Sequence, residues 1–215
     1  MKARKVKGLD PATALADNAE RIVHVRLDEL CSFVPRALDP TEVTALHDMR
    51  IAAKRLRYIL EVTAEDCFGP YAATALKRTK DLQDLLGELH DCDVQLPRVL
   101  HRLEELRTAD AQQARSRPKK KADDLDPIFA SRTAHTSAWR GLETLAVYLE
   151  ARRGLLFERF LEMWTGLERD GFRARLDYAA RERPGGTGSV TRDSPDGNAD
   201  GAGRRLASRA PAPHR

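Results

Sequence analysis

The sequence predicts an all-α protein, and three observations carry that prediction. Apolar residues recur at helical spacing through most of the chain. Proline, glycine and aspartate fall where helices should start and stop. No segment alternates polar and apolar residues as a half-buried strand would. Composition agrees, since 41% hydrophobic and 33% charged residues among 215 suit one helical domain with a single core and a heavily charged surface.

The elements follow in order. Residues 1–10 are a basic arm without periodicity. Asp10-Pro11 then offers an N-cap with proline at the first helical position, and Leu15, Ala19, Ile22, Val23, Leu27 and Leu30 continue a helix until Pro35 and Leu38-Asp39-Pro40 end it. Thr41 is expected to cap a second helix over residues 42–63. A third is expected over 70–86, broken at Gly87, and a fourth from Asp93, because aspartate caps well and Pro97 is poorly tolerated deeper in a helix. Leu96, Val99, Leu100, Leu103 and Leu106 would be the buried stripe of that fourth helix.

From about 108 to 136 the pattern fails around Arg117-Pro118-Lys119-Lys120-Lys121, which reads as a flexible linker. Periodicity resumes at Ala138 and gives two or three more helices to about Ala180, closing a helical domain over residues 11–180. Residues 181–215 are rich in Gly, Pro, Ser and Arg, cannot offset their ordering entropy by burial, and are expected to be a disordered tail.

Several classes are set aside by composition. No apolar run approaches the roughly 20 residues of a membrane span, and the opening MKARKVKGLDP lacks the apolar stretch of a secretory signal, so a cytoplasmic location is expected. Cys31, Cys67 and Cys92 are odd in number and far apart, which suits reduced thiols better than a disulfide framework. The formal charge of +4 is too small to identify a partner, so the distribution of charge must.

That distribution is uneven in the second helix. At about 100° per residue, His47, Arg50, Lys54 and Arg57 fall within an arc of about 80°. Met49, Ala52, Ala53, Leu56, Ile59 and Leu60 fill the neighbouring apolar arc, and Ile51 and Tyr58 flank the stripe on its other edge. Like charges three and four residues apart approach to about 5–6 Å at Cβ, and at an effective dielectric of about 20 two of them repel by roughly 3 kcal/mol before their stems splay. Glu61 can offset Arg57, but Asp48 points elsewhere. Either an external anion compensates the stripe, or its cations fan into water or pair with acids on another helix.

Lys77, Lys80 and Arg98 form a second, weaker set, with Asp81 and Asp84 placed to neutralise the lysines. The run His90-Asp91-Cys92-Asp93 invites a metal site, but consecutive helical residues diverge by about 100° and zinc spacing is absent. Helix capping by Asp91 or Asp93 is the simpler expectation, with no metal and no cofactor.

Leu46-His47-Asp48-Met49-Arg50-Ile51-Ala52-Ala53-Lys54-Arg55-Leu56-Arg57-Tyr58, followed by Leu82-Gln83-Asp84-Leu85-Leu86-Gly87 and His90-Asp91-Cys92-Asp93, resembles the conserved-histidine α-helical domain, or CHAD, family. The resemblance implies a bundle of antiparallel helix hairpins with a basic central cleft or cavity. It also implies binding of inorganic polyphosphate, often at polyphosphate granules, rather than catalysis. Carried over by position, it points to His47, Arg50, Lys54, Arg55 and Arg57 as ligand contacts, then Lys77, Lys80 and Arg98. Arg55 lies about 80° beyond His47 on the wheel. Arg152 and Arg159, seven residues apart and so on one helix face, would complete the basic wall.

Many members of the family carry two related copies of the helical unit, whereas one clear copy of the motif is found in this chain. A reduced cavity, homodimerisation that supplies the missing half, or diverged C-terminal helices that close the bundle each fit a single copy. Three other readings stay open at this level: a nucleic-acid-binding module that uses the same stripe, a metal-dependent phosphohydrolase that uses His47, His90, Asp91 and Asp93, and a helical scaffold for protein partners.

Overall fold

The computed structural model describes residues 2–116, 128 and 132–184 of the chain, and among these the regular structure is helical throughout. Six helices are α1 (Leu15–Cys31), the single turn α2 (Val34–Ala37), α3 (Val43–Thr63), α4 (Tyr71–Ser116), α5 (Thr136–Arg169) and α6 (Phe172–Arg181). The all-α expectation holds, and three expected boundaries move.

The first helix begins at Leu15, four residues after the expected start. Asp10 builds a turn instead, its carboxylate accepting the Ala12 N–H at 2.9 Å and its carbonyl accepting the Thr13 N–H at 3.2 Å. Thr41 does not cap α3. Its N–H and hydroxyl both donate to Asp39 Oδ1, at 2.8 and 2.7 Å, and Glu42 occupies the N-cap position without a side-chain bond.

The largest correction concerns α4, one helix of 46 residues that passes through both Gly87 and Pro97. At 1.5 Å per residue it is about 70 Å long. Interior glycine costs about 1 kcal/mol and proline about 3 kcal/mol, so local signals argue for breaks at both. Packing overrides them: α3 lies along one flank of α4 and α5 along the other, and Leu82, Leu85, Leu86, Leu89 and Cys92 are buried on either side of Gly87. Residues 108–116, expected in a linker, are the last turns of the same helix. The rest of the expected linker falls largely on 117–127 and 129–131, and the expected tail from 185 onward; both lie outside the described residues.

α3 packs between α1 and α4, and α6 rests on α4 and α1. Met49, Leu56, Leu60, Leu82, Leu86, Phe160 and Leu176 are fully buried in the shared core, where truncating one leucine to alanine typically costs about 2–5 kcal/mol. Gly171, at φ 67°, makes the left-handed turn between α5 and α6. The end of α6 then ties the layers together. Gly69, in the α3–α4 connection, donates its N–H to Ala179 at 3.0 Å, and Arg183 bonds Asp17 at 2.8 Å and Glu20 at 2.7 Å on α1. A Cβ on Gly69 would sit 1.9 Å from Glu182 Oε2 and 2.8 Å from its Cβ, so a larger residue here must displace the Glu182 side chain.

Candidate functional site

α3 divides as its wheel predicts. Met49, Ala52, Ala53, Leu56 and Leu60 are buried in the core, Ile59 is partly buried, and His47, Arg50, Lys54 and Arg57 lie along the edge that meets α4. Two contacts fix the register. The His47 and His90 rings meet with centroids 4.5 Å apart, tilted by 43°. The Arg50 side chain runs over Gly87, where an added Cβ would lie 3.7 Å from Arg50 Nε. Because residue numbers rise along α3 as they fall along α4, this register sets Lys54 level with Gln83 and Arg57 level with Lys80.

Polar bonding along this seam is incomplete. His47 Nδ1, Arg50 Nε, Arg57 Nε, Gln83 Oε1 and His90 Nδ1 are buried without a hydrogen-bond partner, and they make up five of the seven such side-chain atoms among the described residues. Buried polar groups are normally satisfied, and leaving one unpaired costs about 1–3 kcal/mol. Arg57 Nε lies 3.2 Å from Glu61 Oε1, an ion pair whose N–H is not aimed for a hydrogen bond. Lys54 and Arg57 also approach the Tyr58 ring, at 5.6 and 4.9 Å from its centroid.

The charge around His90 is one-sided. Burial first, and then the neighbouring His47 and Arg50, hold its imidazole below the ordinary histidine range, against a weaker opposing pull from Asp91 and Asp93. Sequence reasoning weighed His90 only as a metal ligand and missed that it faces the stripe. The available signal was spacing: Lys80, Gln83, Gly87 and His90 recur every three or four residues, the complement of 47, 50, 54 and 57 in an antiparallel partner.

A sequence model of the CHAD domain matches residues 2–100. Residues 2–100 carry a CHAD domain. No curated protein and no solved structure matches it. The CHAD match takes in the arm, α1 to α3 and the first two thirds of α4, and so includes the whole seam, whereas Arg152 and Arg159 lie beyond it.

Within the CHAD region the expected contacts separate. Arg55 is turned away from the seam toward α1, its Nη1 3.0 Å from Oε1 of Glu29, a carboxylate 1% exposed that also accepts from Arg26 at 2.6 Å and from the Arg4 N–H at 3.0 Å. Lys77, Lys80 and Arg98 are exposed, and Lys80 and Arg98 fall within about 20° of Gly87 around α4. Pairing in this stretch of α4 goes to Arg78, 2.8 Å from Asp170, rather than to the lysines as expected.

On α5, Arg152 bonds Glu88 at 2.6 Å, and Arg159 is exposed. The next residue, Arg153, bonds Asp93 through Nε and the Pro40 carbonyl at 2.8 Å through Nη2. Asp91 and Asp93 therefore cap nothing; both are interior to α4. His90, Asp91, Cys92 and Asp93 point to the seam, to solvent, to the core and to α5 respectively, and among the described residues no three metal-ligating groups converge. A cavity of about 560 Å³ opens elsewhere, walled by Cys31, Val34, Trp164, Leu167 and Phe172, and its apolar lining suits no polyanion.

Proposed function

We propose that this CHAD protein binds inorganic polyphosphate along the α3–α4 seam, as a cleft within a bundle of antiparallel helix hairpins. The observation that carries the reading is the row of cationic and imidazole groups, His47, Arg50, Arg57 and His90, whose buried Nδ1 and Nε atoms make no hydrogen bond among the described residues. Guanidinium groups offer directed donors to phosphate oxygens, and Lys54 and Lys80 add point charges at the exposed rim. From His47 to Arg57 the stripe covers about 15 Å at 1.5 Å per residue, which suits an extended anion with repeating charges. Arg98 continues the row along α4. Arg152 and Arg159 are a more distant wall, and Arg152 must leave Glu88 to contribute. Arg55 is excluded, because Glu29 already holds it.

The role would be non-catalytic, in the cytoplasm and at polyphosphate granules, with a second copy of the chain as one way to enlarge the cleft. Nucleic acid is the rival ligand, with one aromatic, Tyr58, beside the stripe where single-strand binders use several. The test is calorimetric titration with polyphosphate at two salt concentrations, followed by displacement with duplex and single-stranded DNA. Tight binding that weakens with salt, and that DNA fails to displace, is expected. Displacement by DNA at equal phosphate concentration would transfer the site to nucleic acid.

A further inference from the structure

We propose, resting on the polyanion reading above, that His47 and His90 act as one proton-linked pair, which a polyanion in the seam loads with a proton taken from solvent. The two rings are in direct contact at 4.5 Å, and each has a buried Nδ1 with no partner. A charge placed on one ring therefore acts on the other at close range, and among the described residues neither Nδ1 has a hydrogen-bond partner.

The surroundings favour a neutral His90. On α3 Arg50 acts on His90, and its side chain lies over Gly87, three residues before that histidine. On α4 the carboxylates that act on His90 are Asp91 and Asp93, of which Asp93 is already engaged by Arg153 on α5 and Asp91 is exposed. Burial first, and then the neighbouring His47 and Arg50, penalise a charged His90. A line of phosphates in the seam offsets that penalty and supplies the acceptors that both rings lack. Protonation of the pair and occupation of the site then favour each other, and by linkage each promotes the other equally.

The pH dependence follows with a definite sign. Folding depresses proton binding at His90, so the unfolded chain takes up more protons as pH falls below about 6.5, and the protein without ligand loses stability on acidification through that range. Polyphosphate should restore it, giving a larger rise in Tm at pH 5.5 than at pH 7.5. Affinity should also increase as pH falls, by up to about tenfold per pH unit for one linked proton.

The experiment is calorimetric titration of the full chain with long-chain polyphosphate, whose internal phosphates stay ionised, at pH 6.5 in two buffers of different ionisation enthalpy. The difference between the buffers counts protons. Uptake on the order of one proton is expected in the wild type, falling toward zero in both His47→Gln and His90→Gln, whose affinities should become flat between pH 5.5 and 8. Binding without proton uptake, or full uptake retained in His90→Gln, would overturn the proton linkage and leave the polyanion reading standing. No binding at any pH would remove both.

Discussion

The two sides of α3 treat the same residue type in opposite ways. On the side facing α1, Arg55 bonds Glu29, a carboxylate almost wholly buried and also held by Arg26 and the Arg4 backbone. On the side facing α4, Arg50 and Arg57 keep a buried Nε without a hydrogen bond, next to two imidazoles in the same condition. Both sides are partly buried and both carry guanidinium groups. What differs is that the fold supplies an anion to one and only the half-exposed Glu61 to the other. A saturated cluster stabilises the fold and has no bonding capacity left for a ligand. An unsaturated one adds little stability and keeps its donors available, which is the property that an anion site requires.

That contrast can be broken most directly at Glu29. Glu29→Ala leaves Arg26 and Arg55 beside a buried gap, and losing one partner of a buried pair costs about 3–5 kcal/mol. At about 2–4 °C per kcal/mol for a chain of this size, Tm should fall by roughly 6–20 °C in a thermal melt. Arg50→Ala should change stability by about 1 kcal/mol or less, since it relieves repulsion as it removes packing. Equal losses in the two variants would end the distinction between the two sides.

A smaller effect sharpens it from the ligand side. Glu61 is the internal competitor for Arg57, so Glu61→Gln should raise polyphosphate affinity a few-fold at low salt, with a stability cost of about 0.2–1 kcal/mol, since the Glu61 carboxylate is exposed. Unchanged affinity would show that Arg57 is not a ligand contact. The smallest change is expected at Gly87. A Cβ there meets Arg50 at an ordinary 3.7 Å, so Gly87→Ala should gain about 0.5–1 kcal/mol in denaturant unfolding with affinity almost unaltered. Gly87→Leu should displace Arg50 and weaken binding.

Much of this site was legible in the sequence because it depends on one helix. The spacing of His47, Arg50, Lys54 and Arg57 marks a stripe whatever that helix packs against, and the angular offset of Arg55 already separated it from the rest. Features that depend on two elements were harder to read. The meeting of His90 with His47 requires the register between α3 and α4, and the pairing of Arg152 with Glu88 requires the placement of α5. The continuity of α4 failed for a related reason: Gly87 and Pro97 are true local breakers, and at Gly87 it is burial of the residues on either side, which no local rule contains, that keeps the helix running. Thr41 shows the same limit at short range, since its hydroxyl donates to Asp39 Oδ1 and caps no N–H at the start of α3.

The central claim is that the α4-facing side of α3, and not the α1-facing side, binds the polyanion. Its most direct test is polyphosphate titration by calorimetry at two salt concentrations on three proteins: the wild type, the triple variant Arg50→Ala, Lys54→Ala, Arg57→Ala, and Arg55→Ala, each verified as helical by circular dichroism. Salt-sensitive binding in the wild type and in Arg55→Ala, lost at least a hundredfold in the triple variant, is the predicted result. Binding that survives in the triple variant, or that falls as far in Arg55→Ala, would contradict it.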